Sequence, residues 1–232
     1  MLAIAGILCS MGASAQVSGL IPRNTLELGV GPAAYAGEND WKVNSMTELI
    51  TPAVKLNYVN RLSPVWGWGA GVTCSKINGL YQNNGTMNPF APTDIPYTGA
   101  KPEYDYQNLY RQQGYITNCY VLGHNYVLNF FSGYNPKSIY VLDLYAGPGI
   151  MLGFSGTGKS VGYSINFGAT NRFNLNSVMA LFVDFHGALV NDAFDGESYK
   201  DETTEEGRKI NHKMDLFGSV TAGISVNIGG RL

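Results

Sequence analysis

The sequence is low in charge and contains no long apolar run. Only 14% of its 232 residues are charged, and the formal net charge is −2. No stripe of basic residues is present, which excludes a nucleic-acid partner. No apolar segment reaches the roughly 18–20 residues that a membrane-spanning helix needs, which excludes a spanning helix. What the sequence has in excess is glycine and tyrosine, with 29 and 15 residues.

Cysteine is also scarce, and one of the three cysteines lies in what resembles an export signal. Residues 2–15 are apolar or small and end in Ala13-Ser14-Ala15 before Gln16, although a positively charged start is missing. Such a segment is typical of a cleaved signal peptide, so we predict a signal peptide over 1–15 and one domain over 16–232. Cleavage leaves Cys74 and Cys119, which in an oxidising compartment form either a disulfide or two separate thiols.

The clearest positive feature is strict alternation of apolar with small or polar residues. The last segment shows it best, because Leu216, Val220 and Ile224 share one face with other apolar residues while Ser219 and Thr221 lie on the opposite face. Successive side chains of a strand point to opposite faces, so this pattern predicts a strand with one apolar side and one mostly polar side.

Seven further segments repeat the pattern. The predicted strands are 25–35, 48–60, 65–76, 115–131, 138–152, 160–170, 177–188 and 214–228. Short connections follow the second, fourth and sixth strands, and longer ones follow most of the others. This is typical of membrane barrels, so we predict an all-β fold: an eight-stranded antiparallel up-and-down transmembrane β-barrel with both ends on the periplasmic side.

Three structural points stay open at this stage. A soluble lipocalin-like barrel would turn the apolar faces inward around a cavity; the signal peptide and the bulky aromatics on the apolar face favour the membrane. Within 115–131, the residues Gly123-His124-Asn125 fit neither face, which indicates a β-bulge or a misplaced strand boundary. A hairpin hidden in 78–113 would raise the number of strands to ten.

With this pattern, the chain resembles the small Gram-negative outer-membrane β-barrels: the OmpA transmembrane-domain and OmpX-like group and the "outer membrane protein beta-barrel" sequences. The resemblance rests on four segments: Ala13–Gln16, Trp66–Gly71, Tyr145–Gly149 and Val220–Ile228. It implies a membrane barrel exported to the cell outer membrane. The chain departs from the group in ending on Leu232 rather than an aromatic residue, and it shows no peptidoglycan-binding domain.

One motif suggests a nucleotide site. Gly153-Phe-Ser-Gly-Thr-Gly-Lys-Ser160 matches the phosphate-binding loop template, which needs a helix after it. The residues that follow alternate strictly and contain Gly162 and Gly168, which favours a strand. We therefore predict a glycine-rich hairpin loop, with no cofactor and no metal.

The polar faces supply the candidate site residues. Asp184, His186 and Asp215 are the candidates for catalysis or metal binding, because a carboxylate beside an imidazole can orient a general base. The preferred interpretation is structural: buried charges need partners, and an eight-stranded barrel has room only for its own side chains. We expect an interior polar network, which comprises Glu27, Lys55, Asp143, Asp184, His186 and Asp215.

The expected function is therefore structural or interactive, and the protein is not expected to be an enzyme. The expected partners are outer-membrane lipid and lipopolysaccharide, and the barrel is expected to be a monomer. The tyrosine-rich loop 78–113 and the charged loop 189–213 could contact an extracellular partner. The alternatives are a small porin-like channel and a rim-site protease or lipid A-modifying enzyme that uses Asp184, His186 and Asp215.

Overall fold

The computed structural model describes residues 22–37, 40, 43–82, 96–98, 109–135, 138–155, 158–191, 194 and 214–231. Its strands are β1 Pro22–Ala36, β2 Thr51–Arg61, β3 Trp66–Gln82, β4 Leu109–Tyr126, β5 Tyr140–Phe154, β6 Lys159–Asn174, β7 Met179–Asn191 and β8 Met214–Arg231. A short 3₁₀ helix spans Met46–Leu49 and a short α-helix, α1, spans Val127–Ser132. In the described part of the chain, no helix has the length and apolarity needed to cross a membrane. The predicted signal peptide, 1–15, lies outside the described residues.

The eight strands form a closed barrel in which every strand pairs antiparallel with its neighbours in sequence. Closure is made by β1 and β8, with Leu28 opposite Ile224. The predicted eight-stranded up-and-down barrel is thus confirmed. The described ends of 78–113 lengthen β3 and β4, pairing Gln82 with Leu109, and add no further strand.

Each end of the barrel has a distinct set of connections. We call one end of the barrel the turn end. It carries α1, the connections 62–65 and 175–178, the start of β1 and the end of β8. The opposite end, the loop end, carries the 3₁₀ helix. There Val43, Leu49, Leu80, Tyr97 and Leu109 form a small apolar cluster.

The fourth strand differs from its predicted bounds. It begins at Leu109 and ends at Tyr126, where the chain enters α1. Pairing with β3 runs without a shift through Gly123, so the bulge is wrong and the misplaced boundary is the right alternative. The Asn129 side chain donates to the Pro64 carbonyl oxygen at 2.7 Å, and Gly133, which follows the last residue of α1, has a φ of 74° that suits glycine.

Glycines let the narrow barrel close. A Cβ on Gly223 of β8 would collide with the backbone carbonyl oxygen of Leu28 on β1, across the closing pair of strands. We expect Gly223→Ala to lower the free energy of unfolding by about 1–3 kcal/mol, because the backbone must shift to accept the methyl group. Urea unfolding of the refolded barrel measures this.

Gly218→Ala is the matched control for that substitution, because it lies on the same strand and nothing stands within 4 Å of its would-be Cβ. It should leave stability nearly unchanged. Equal effects of the two alanines would contradict the close approach of β1 and β8.

Candidate functional site

The centre of the barrel interior holds an ion pair between opposite walls. Lys55 of β2 contacts Asp184 of β7 at 2.5 Å, and both side chains are fully buried. The second oxygen of the Asp184 carboxylate accepts hydrogen bonds from the Tyr145 hydroxyl at 2.9 Å and the Thr170 hydroxyl at 2.7 Å. The carboxylate is therefore fully engaged in holding β2, β5, β6 and β7 together.

A second charged group lies nearer the turn end. The Arg172 guanidinium donates to Glu27 at 2.5 Å and lies 3.7 Å from Asp143, and both acids are buried. The Nδ1 atom of His124 lies 2.9 Å from the same Asp143 carboxylate. Arg172 thus lies between two acids that would otherwise be buried without a cation.

Polar side chains connect the two ion pairs to each other and to the strands around them. The Asn57 side-chain amide lies 2.7 Å from the Tyr120 hydroxyl and 3.4 Å from the Glu27 carboxylate. His186 lies 3.1 Å from the Tyr145 hydroxyl through Nδ1 and 3.2 Å from Asn166 Oδ1 through Nε2. Together with the two charged groups these residues form one buried hydrogen-bonded assembly, called the interior network below.

All six residues of the predicted polar network are buried, as are Arg172 and His124, which the sequence interpretation did not include. Lys55 pairs with Asp184, while Glu27 and Asp143 take Arg172 as their cation. Arg172 shares its face with Thr170, two residues before it, but the predicted strand ended at residue 170, whereas β6 continues to Asn174. Strand parity would have assigned Arg172 to the interior only with the longer strand.

The three catalytic candidates are not brought together. Asp184 and His186 both contact the Tyr145 hydroxyl, but Asp215 accepts a hydrogen bond from Tyr35. Asp215 lies opposite Val190, whereas His186 lies opposite Ser219, four residues further along β8. At about 3.3 Å per residue this puts Asp215 roughly 13 Å along the strand from His186. Among the described residues, no group of three His, Cys, Asp or Glu side chains could hold a metal ion.

The interior is polar only in part. Toward the loop end, the inward faces of the strands and Phe194, which follows β7, form an apolar plug. Its other members are Ala33, Tyr35, Ala53, Ile77, Ile116, Met151, Ala188, Val190 and Phe217. The inward faces of the strands are therefore polar in the interior network and apolar in the plug. Large apolar side chains pack there because the barrel is too narrow to leave such positions empty.

The loop-end cluster also carries a polar contact. Tyr97 donates its hydroxyl to Glu48 at 3.1 Å, and the Arg111 guanidinium pairs with Glu48 at 2.9 Å while lying 4.9 Å from the centre of the Tyr97 ring. Desolvation by burial is the main cause that raises the pKa of Tyr97. These contacts hold the 3₁₀ helix against the extended ends of β3 and β4.

The glycine-rich motif forms a hairpin turn. Between β5 and β6, the Ser155 N–H donates to the Gly158 carbonyl oxygen at 3.0 Å, and the Gly158 N–H donates to the Ser155 hydroxyl at 3.1 Å. The residues after Gly158 form strand β6, so the helix that a phosphate-binding loop requires is not there. The hairpin interpretation is confirmed.

The two cysteines lie on the outer wall. Cys74 of β3 and Cys119 of β4 are on neighbouring strands, and both are exposed free thiols. Of the two sequence alternatives, the structure has two separate thiols.

The outer wall is apolar on every strand. We call this surface the outer belt; its exposed large side chains include Leu28, Val30, Val54, Leu56, Trp66, Trp68, Tyr115, Val121, Leu144, Ile150, Ile165, Phe167, Leu181, Phe185, Val220 and Ile224. Aromatic residues lie at both of its edges. Trp66, Trp68 and Phe173 are exposed at the turn end, and Tyr115 and Tyr163 toward the loop end.

No family model and no curated protein matches the sequence. Among solved structures, Neisserial surface protein A is similar at 10% identity, covering 90% of this chain and 99% of that one, with a TM-score of 0.47. A major outer membrane protein of Thermus thermophilus has 10% identity, 88% and 98% coverage and a TM-score of 0.41. Ail, the attachment invasion locus protein of Yersinia pestis, has 9% identity, 88% and 99% coverage and a TM-score of 0.39. The Thermus thermophilus protein is an outer membrane protein by name; at these TM-scores the similarity carries nothing about function.

Proposed function

We propose that this chain is a monomeric, integral β-barrel of the Gram-negative outer membrane with a structural or interaction role and a filled interior. It reaches that membrane through a cleaved signal peptide. The observation that carries the proposal is the inversion of polarity: charged side chains are buried inside the barrel, while apolar side chains are exposed around its whole outer wall.

The outer belt has the height of a bilayer core. On β6, the exposed Tyr163 and Phe173 are ten residues apart. At about 3.3 Å per residue and a strand tilt of about 40°, that separation is roughly 25 Å along the barrel axis, which matches the apolar band of outer-membrane barrels. Soluble monomers rarely expose an apolar patch larger than a few hundred Å², so a continuous belt of this kind favours lipid contact.

The packing of the interior favours a closed barrel and counts against an open channel. The interior network pairs charges across the lumen, as between Lys55 and Asp184, and the apolar plug fills the loop-end side with Phe217, Ile77 and Ile116. An eight-stranded barrel is only wide enough for side chains to fill it. The same packing counts against a rim enzyme, since Asp184 and His186 already have interior partners and Asp215 lies elsewhere. We therefore propose that the protein is not an enzyme.

Planar-bilayer conductance and gel mobility test this proposal together. The mature chain, Gln16–Leu232, is refolded and run on a gel with and without boiling, and its conductance is measured in a planar bilayer. We expect a mobility that changes on boiling, because the folded barrel resists detergent, and no steady conductance, because the plug and the interior network close the lumen.

The outcomes separate the alternatives. Stable open channels would overturn the filled interior and favour the porin-like function. A chain that does not fold in detergent or lipid would overturn the membrane assignment and favour a soluble barrel.

A further inference from the structure

Two lysines and two aromatic residues form a continuous row on the outer wall. Lys76 lies directly opposite Tyr115, Tyr115 opposite Phe154, and Phe154 opposite Lys159, so the row crosses β3, β4, β5 and β6. All four side chains are on the outward face, and Tyr115 and Phe154 are 64% and 41% exposed. This set is called the lysine–aromatic row, and it lies toward the loop end of the outer belt.

The row has no acidic partners in the described part of the chain. Neither Lys76 nor Lys159 has a carboxylate within ion-pair distance there, and the acidic side chains are buried except for Glu48, which pairs with Arg111. At the loop-end edge of the outer belt, no described residue therefore neutralises the positive charges of the two lysines.

The wall on the turn-end side of the row is apolar. The next outward positions on the same four strands are Cys74, Thr117, Leu152 and Val161, followed by Val72, Cys119, Ile150 and Tyr163. A ligand for this surface must therefore carry negative charge at one end and hydrocarbon along the rest. Tyr115, whose ring carries a polar hydroxyl, suits the boundary between the two parts, and the Phe154 ring beside it suits the hydrocarbon side.

From this arrangement we infer that the lysine–aromatic row binds the phosphate groups of a phosphorylated glycolipid in the outer leaflet, with acyl chains along the apolar positions beneath. The inference rests on the proposed membrane function. Three strand spacings separate the two lysines, roughly 14 Å at about 4.8 Å each. Each cation sits on a flexible four-carbon stem that can reach along the apolar wall toward the aqueous boundary. The spacing suits a disaccharide lipid with a phosphate at each end better than a glycerophospholipid with one.

Binding of lipid A that carries both phosphates, measured by native mass spectrometry on the refolded mature chain in detergent, tests the site. Each of Lys76→Gln and Lys159→Gln is expected to weaken binding about fivefold, and the double variant about 25-fold. Fivefold corresponds to about 1 kcal/mol, the usual contribution of one cation near an anionic lipid surface. The matched control is Arg23→Gln, which removes an exposed cation at the turn end and should leave binding unchanged.

Two comparison lipids identify the source of the phosphate. The first is phosphatidylglycerol, and the second is lipid A from which both phosphates have been removed. Each should bind the wild-type protein at least tenfold more weakly than lipid A that carries both phosphates. Equal binding of either lipid, or equal losses in Arg23→Gln and Lys159→Gln, would overturn the site. Gel mobility that changes on boiling in every variant shows that the barrel itself is intact, so failure of the lipid site is distinguishable from failure of the membrane assignment. If no variant folds in detergent, both proposals fall.

Discussion

Replacement of Lys55 with methionine is expected to lower the free energy of unfolding by about 3–5 kcal/mol, the usual cost of removing one partner from a buried ion pair. Methionine fills much of the same space, so the loss comes from Asp184, which stays buried with its hydrogen bonds from Tyr145 and Thr170 and without its cation. Urea unfolding in detergent, followed by the loss of the fast-migrating unboiled gel band, measures this change.

Two further variants show whether the charge is the cause. Lys55→Met combined with Asp184→Leu removes both charges and should recover a large part of the lost stability, because replacing a buried pair by apolar residues is often neutral. Arg23→Met removes a cation exposed at the turn end and should change stability by less than about 0.5 kcal/mol. Unchanged heat resistance and melting in Lys55→Met would contradict a structural role for the interior network.

Strand order and strand faces could be predicted because the signal has a period of two and recurs in every segment. This signal fails to mark the end of a strand when the residues that follow the strand are also apolar. The predicted fourth strand continued to residue 131 because Leu128, Phe130 and Phe131 are apolar, whereas in the structure these residues belong to α1 and are exposed. Apolar residues are as acceptable at a lipid boundary as in a strand, so composition alone does not mark the end of β4.

The charged contents of the interior could also be predicted, but their partners could not. Parity places Lys55 and Asp184 inside, while the choice of Arg172 for Glu27 depends on how far the strands are staggered around the barrel. His124 was missed because Leu122, on the same inward face, is apolar and buried, so polarity does not identify the face of β4.

The separation of Asp215 from Asp184 could not be predicted either, because it depends on where β7 ends. The seventh strand was predicted to end at residue 188. With that end, the predicted eighth strand, 214–228, would begin close to His186. In the structure β7 continues to Asn191, which pairs with Met214, and this register carries Asp215 toward the loop end. A change of three residues at one strand end thus separates the catalytic candidates, which alternation in the sequence cannot reveal.

Replacement of Arg172 with methionine should lower the free energy of unfolding by about 5 kcal/mol, the upper end of the range expected for Lys55→Met. Its guanidinium lies between Glu27 and Asp143, so one substitution leaves two buried carboxylates without their shared cation. We expect the refolded fraction to fall sharply, and urea unfolding of the remaining folded protein to give the free-energy change.

Arg61→Met is the matched control for Arg172→Met. The Arg61 guanidinium stacks on the Tyr126 ring with 3.9 Å to its centre and pairs with no carboxylate among the described residues, so its loss should cost only about 0.5–1 kcal/mol. Adding Glu27→Gln to Arg172→Met should restore part of the stability, since the remaining acid, Asp143, keeps its contact with His124. If both arginine variants lose the same stability, the loss reflects truncation of a long side chain, and Arg172 does not hold the two acids together.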